Sequence, residues 1–165
     1  NQQLCRIDNE TFLPDVSGSF ADNLPELSDT TICIISDYAK GTVRSASKII
    51  GEMAANDVRV IVDPKHEDIT HYDFSFIVKP NCKEFLKFLE TAGIETDGSS
   101  ISSLSRAGTE LISSTNIENL IVTLAERGCL LITSRGYVEH FEGALVDVAD
   151  VTGAGDTVTA FLALA

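Results

Sequence analysis

Four short, mostly apolar runs, at residues 32–35, 58–62, 74–78 and 120–124, constrain this chain more than any other feature. A strand with one wet face alternates apolar and polar residues, whereas a strand covered on both faces does not. Such runs predict parallel strands with helices above and below. Between the first two, residues 42–56 carry Val43, Ala46, Ile49, Ile50 and Met53 at helical spacing. Further helices are expected over 81–93 and from about 99 to 114. The alternation predicts an α/β fold with a doubly wound, mostly parallel sheet. Beyond 128 the pattern changes. Residues 128–133 and 137–141 predict a hairpin around Ser134-Arg135-Gly136, adding antiparallel strands near one edge, and 156–165 predicts the first turns of a helix.

The 165 residues, 44% of them hydrophobic, suffice for a single domain spanning 1–165 with a real core. There is no internal repeat, and the polar stretch 96–105 reads as a loop or helix start. No apolar run reaches the roughly 20 residues that a membrane-spanning helix needs. Residues 1–6 lack a signal peptide's basic start and apolar stretch, and the four widely spaced cysteines make a reduced, cytoplasmic protein the expectation. The absence of an initiator Met and an end in mid-pattern at Ala163-Leu164-Ala165 predict a piece of something longer.

Charge narrows the partners. A net charge of −13 repels nucleic acid at long range, so no nucleic-acid partner is expected. A phosphorylated metabolite remains compatible, because backbone N–H groups and a metal ion can make a pocket locally positive. Cys5, Cys33, Cys82 and Cys129 form no CxxC pair and no metal-ligand spacing with His66, His71 or His140. Cys33, inside an apolar run, reads as a small buried hydrophobe.

The segment Asp150-Val151-Thr152-Gly153-Ala154-Gly155-Asp156-Thr157 carries the strongest chemical signal. Two glycines around one alanine let the backbone turn tightly and present successive N–H groups outward. At a helix start, those groups and the dipole make an anion site suited to charge on a transferring phosphoryl group. Asp156, immediately afterwards, is placed to take a proton from an attacking hydroxyl. A plain Gly-rich turn, with Asp156 favouring the first helical turn, fits the spacing equally well.

Three further segments are ambiguous when read alone. In Lys79-Pro80-Asn81-Cys82-Lys83-Glu84, Asn followed three residues later by Glu is a helix-capping pair, and capping is the simpler reading. Thr123-Leu124-Ala125-Glu126-Arg127-Gly128 reads as a strand-to-hairpin turn or as a nucleotide contact. Lys40, in Ser36-Asp37-Tyr38-Ala39-Lys40-Gly41, and Asp63 and Lys65, in Val62-Asp63-Pro64-Lys65, follow strands at their carboxyl ends. That is where ligands collect in open α/β sheets. A solvated turn is the bland reading for Lys40.

The 150–157 segment resembles the C-terminal signature of the ribokinase-like, phosphofructokinase-B type carbohydrate kinases. The resemblance implies that Asp156 is the general base and that Gly153, Ala154 and Gly155 form the anion hole. Val158 stands where Phe is frequent. Asn81 and Glu84 match the family's N-x-x-E motif, implied to organise Mg²⁺ (through metal-bound water) and the ATP phosphates. Thr123, Glu126 and Gly128 match the nucleotide loop, with Ala125 in place of its first Gly. Lys65 is a further candidate for the nucleotide, and Lys40 and Asp150 for the substrate.

The segments 1–8, 36–41, 62–65 and 79–84 are together similar to the branch that phosphorylates D-glycero-β-D-manno-heptose 7-phosphate for ADP-heptose and lipopolysaccharide synthesis. Members are about twice this length, with a sugar-binding half and a β lid upstream, and are often dimers. This chain alone is therefore expected to be inactive and the full-length protein to be a homodimer. The implied activity is ATP-dependent sugar kinase. The alternatives are a kinase for ribose, a keto-deoxy sugar acid or another sugar phosphate, and a non-catalytic nucleotide-binding module. A dehydrogenase is disfavoured, because no GxGxxG follows a strand near the start of a βαβ unit.

Overall fold

The computed structural model describes residues 32–40, 43, 45–144 and 153–164. Among these residues six strands form one sheet in chain order: β1 (Ile32–Ser36), β2 (Arg59–Asp63), β3 (Ile77–Val78), β4 (Asn119–Thr123), β5 (Cys129–Thr133) and β6 (Val138–Phe141). β1 to β4 run parallel, and β5 and β6 each pair antiparallel with the strand before. The helices are α1 (Ala46–Ala55), α2 (Cys82–Thr91), α3 (Ile101–Ser113) and α4 (Ala154–Leu164). Asn81 and Ser100 cap α2 and α3 with their side chains.

Register sorts the side chains between two faces, because partners in register point the same way. Val62, Val78, Leu120 and Ile132 share one face. They are buried in one cluster with Ile49, Ile50 and Met53 of α1, Phe85, Phe88 and Leu89 of α2, and Leu104 and Leu111 of α3. Each large side chain so buried contributes about 1.5–3 kcal/mol. Ile34, Ile61, Ile77 and Asn119 share the other face. There α4 packs against β2 and β1. Helices thus cover both faces, with α1, α2 and α3 on one side and α4 on the other.

The structure corrects several expectations. Among the described strands, only β2 (Val60, Ile61 and Val62) and the short β3 bury consecutive residues. Ile32 and Ile34 of β1 are 36% and 47% exposed, because among the described residues β1 is the first strand of the sheet and α4 covers it only in part. β4 alternates buried and half-buried residues. Cys33 is half-buried, and burial raises its thiol pKa. The strand expected at 74–78 shrinks to two residues, because Phe74 turns with φ +69° and donates its N–H to the Asn116 carbonyl. The helix expected from 42 starts at Ala46.

Candidate active site

All four parallel strands end at one edge of the sheet, and the candidate residues gather there. Asp37 follows β1, Asp63 closes β2, Lys79 follows β3 and Thr123 closes β4. Backbone bonds carry the ladder past the strand ends: Asp37 N–H to Asp63 O (2.9 Å), Lys79 N–H to Val62 O (2.9 Å) and Thr123 N–H to Pro80 O (3.0 Å). The edge is therefore rigid where the open α/β architecture puts ligands.

Gly153 has φ +79°, a left-handed turn that a side chain resists, and α4 begins at the next residue. The Thr157 N–H closes the first turn on the Gly153 carbonyl at 2.9 Å. Gly153, Ala154, Gly155 and Asp156 are exposed, with the Asp156 carboxylate in the first turn. The earliest helical N–H groups have no partners inside a helix, so this end offers donors to an anion beside an exposed carboxylate. Beneath it lies an ion pair. Lys79 Nζ is 3.2 Å from Asp63 Oδ1, and Gly155 rides directly above both. Asp150 lies outside the described residues.

The start of α2 is built differently. Asn81 Oδ1 accepts the Glu84 N–H at 3.0 Å and Glu84 Oε2 accepts the Asn81 N–H at 2.9 Å, a complete capping box. Glu84 Oε1 is 3.1 Å from Lys65 Nζ. Asn81 also bridges to Thr123 of β4. Asn81, Glu84, Lys65 and Thr123 thus form one group, joined through Pro80 to Lys79 under the α4 turn. Among the described residues no three His, Cys, Asp or Glu side chains converge as a metal cage.

The loop after β4 is braced by the chain itself. Gly128 has φ +86°, and a side chain there would run into the Phe141 carbonyl and the backbone of Glu142 and Gly143. Arg127 donates to Ser99 O at 3.4 Å and to Cys82 Sγ at 3.8 Å, while its carbonyl meets His140 Nε2 at 2.7 Å. Those contacts give Arg127 a structural task. Glu126 is exposed. Ala125, which stands where the resembled pattern has its first Gly, holds φ +54°.

Lys40 is exposed, with its ammonium 6.0 Å from the Tyr38 ring centroid. Just before it lies a network that sequence reasoning missed. The buried Tyr72 hydroxyl accepts the N–H groups of Lys65 (3.0 Å) and His66 (2.9 Å) and donates to Asp37 Oδ2 at 2.6 Å. Burial, and the Asp37 carboxylate that takes its hydrogen bond, push the Tyr72 phenol well above its ordinary range. Lys79 and Thr159 were missed as well. Lys79 had a visible signal, a lone lysine directly after the apolar run Phe76-Ile77-Val78.

Known proteins resemble this chain in sequence and fold. Two curated relatives are each described as a "Bifunctional protein HldE". That of Shewanella sediminis is 35% identical over 99% of this chain and 33% of its own length. That of Nitrobacter winogradskyi is 39% identical over 98% and 33%. The chain therefore spans about a third of the curated relatives it matches. Among solved structures, a putative phosphofructokinase from Staphylococcus aureus superposes with a TM-score of 0.72 at 18% identity, covering 91% of this chain and 50% of that one. Arabidopsis thaliana ribokinase, complexed with ribose and ATP, gives 0.65 at 19% identity, covering 80% and 42%. These likenesses define a ribokinase-like fold. The pfkB family carbohydrate kinase model matches residues 16–165, so this chain belongs to that family.

Proposed function

We propose that the protein carrying this chain transfers the γ-phosphoryl group of ATP to a sugar hydroxyl, with Asp156 as general base. The single observation behind this reading is the exposed Asp156 carboxylate in the first turn of a Gly-Ala-Gly-led helix at the ligand-binding edge of the sheet. The carboxylate accepts the hydroxyl proton as the oxygen attacks, and the N–H groups of the 153–155 turn stabilise charge on the transferring group. Thr123, Glu126, Gly128 and Lys65 would face the nucleotide, and Lys40 and Asp150 the sugar.

A magnesium ion fits the donors present. Mg²⁺ binds through one or two carboxylates, retained waters and substrate phosphates rather than a full protein cage. Glu84 would supply the carboxylate and Asn81 the amide oxygen, through metal-bound water, and both are held by the capping box. When bound, the ion would neutralise charge on the ATP phosphates. Lys65 now sits on Glu84 Oε1, and its flexible stem lets it turn to a phosphate instead.

The proposed acceptor is the anomeric hydroxyl of D-glycero-β-D-manno-heptose 7-phosphate, on the way to ADP-heptose. The four motif segments and the identity to the two bifunctional relatives support it. The sugar-binding half would come from outside this chain, so the chain alone would be inactive and the full-length protein, a homodimer in the cytoplasm, active. No helix among the described residues is long and apolar enough to cross a membrane. The test is ATP consumption by the full-length protein with heptose 7-phosphate, ribose, fructose 6-phosphate and a keto-deoxy sugar acid. Turnover restricted to the heptose is expected. Turnover on another sugar would keep the kinase and discard the branch. ATP binding without turnover on any sugar would leave a nucleotide-binding module.

A further inference from the structure

We propose that Asp63, Lys79 and Thr159 form a clamp that fixes the first turn of α4 against the sheet, making them positioning residues for Asp156. The proposal rests on the kinase reading above. Among the described residues of α4, Thr159 alone is buried, at 5% exposed, whereas Phe161 and Leu164 are 69% and 84% exposed. Val158, Leu162 and Ala163 are half-buried, so the most deeply buried contact of this helix is a polar side chain. Thr159 Oγ1 lies 3.1 Å from the Gly155 carbonyl one turn back and 3.4 Å from Asp63 Oδ2. It links the turn that precedes Asp156 to the end of β2.

Asp63 has a second task. Its other oxygen is 3.2 Å from Lys79 Nζ, and Lys79 is only 3% exposed. A buried ammonium without a counter-charge is costly. It would also repel the positive end of α4, whose backbone at Gly155 rides directly above it: a side-chain carbon there would lie 3.6 Å from Nζ and 3.9 Å from Asp63 Oδ2. With Asp63 in place the ammonium is neutralised, and the glycine lets the helix backbone settle close to the pair. Asp63 closes β2, Lys79 follows β3 and Thr159 lies in α4, yet they meet at one carboxylate.

A carboxylate displaced by about 1 Å from its productive position loses on the order of 10²-fold in rate, so a clamp of this kind is read in kcat. The test uses the full-length protein with Thr159→Val, Thr159→Ser and Asp63→Asn. Hydrogen exchange of the 157–160 amides, kcat, KM for ATP and the thermal midpoint would be measured together. Thr159→Val keeps the side-chain shape, so it should fold. It is expected to speed exchange and to lower kcat about tenfold, with KM within about twofold. Thr159→Ser should restore both, and Asp63→Asn should exceed Thr159→Val in each. Unchanged exchange in Thr159→Val would overturn the clamp. So would a raised KM for ATP at unchanged kcat in Asp63→Asn, which would move that carboxylate to nucleotide binding. If the wild-type protein turns over no sugar, the kinase reading fails while the exchange data still decide the clamp.

Discussion

The N-termini of α2 and α4 stand at the same edge of the sheet and are finished in opposite ways. Asn81 and Glu84 satisfy each other's backbone N–H groups, and Lys65 occupies the remaining Glu84 oxygen. Gly153, which precedes α4, has no side chain with which to do the same, and the turn that follows is exposed. One helix end is a joint that the chain closes for itself. At the other, no side chain among the described residues takes up the donors, and Asp156 stands beside them. Side chains that could cap a helix also compete with a ligand for its N–H groups, so leaving them out is what keeps an anion site open.

The most severe way to sharpen that contrast is Asp156→Asn in the full-length protein. Turnover should fall roughly 10²–10⁴-fold, the usual worth of a general base, while ATP binding and the thermal midpoint hold. A loss below tenfold would break the assignment and leave Asp156 as a first-turn residue only. Next in size is Gly128→Ala, which tests a glycine closed in by the chain. No described residue crowds Gly153, whereas Gly128 is pressed against Phe141 and Gly143. Overpacking and the positive φ together should cost about 3 kcal/mol, read as a lower denaturation midpoint. A midpoint near that of the wild type would mean the 123–128 loop can shift, and its bracing would lose its meaning.

At the closed end, Asn81→Ala removes a cap and should cost about 1 kcal/mol. The same variant separates the two uses of this residue. If Asn81 also helps to organise Mg²⁺, the concentration of Mg²⁺ needed for half-maximal turnover rises too. A stability loss with an unchanged Mg²⁺ requirement would confine Asn81 to capping.

Local patterns are legible in the amino-acid sequence itself. The hairpin around 134–136 and the Asn81–Glu84 cap depend on neighbours along the chain, and each stands where its pattern puts it. The apolar runs locate the parallel strands in the same way, although Phe74 shortens one of them. What escapes depends on register. Asp63 and Lys79 meet because β2 and β3 pair with Ile61 opposite Ile77, which sets both on the α4 face. Tyr72 reaches Asp37 across 35 residues and Thr159 reaches Asp63 across 96. No periodicity encodes such distances. A lysine after an apolar run announces only that a partner must exist, not which carboxylate it is.

Ala125 offers the smallest effect and a direct reading of the open-versus-closed contrast inside one loop. The backbone there holds φ +54°, which for a residue with a Cβ costs about 1–2 kcal/mol. Glycine would relieve that strain and lose about 0.5–1 kcal/mol to its greater freedom in the unfolded chain. Ala125→Gly should therefore stabilise the protein by about 0.5 kcal/mol in a denaturant titration. Its effect on KM for ATP tells the loop's two roles apart. If the nucleotide approaches the backbone at 125, removing the methyl group lowers KM as well as raising stability. If the loop only turns the chain from β4 into β5, stability rises alone, and Glu126 and Gly128 lose their claim on the nucleotide.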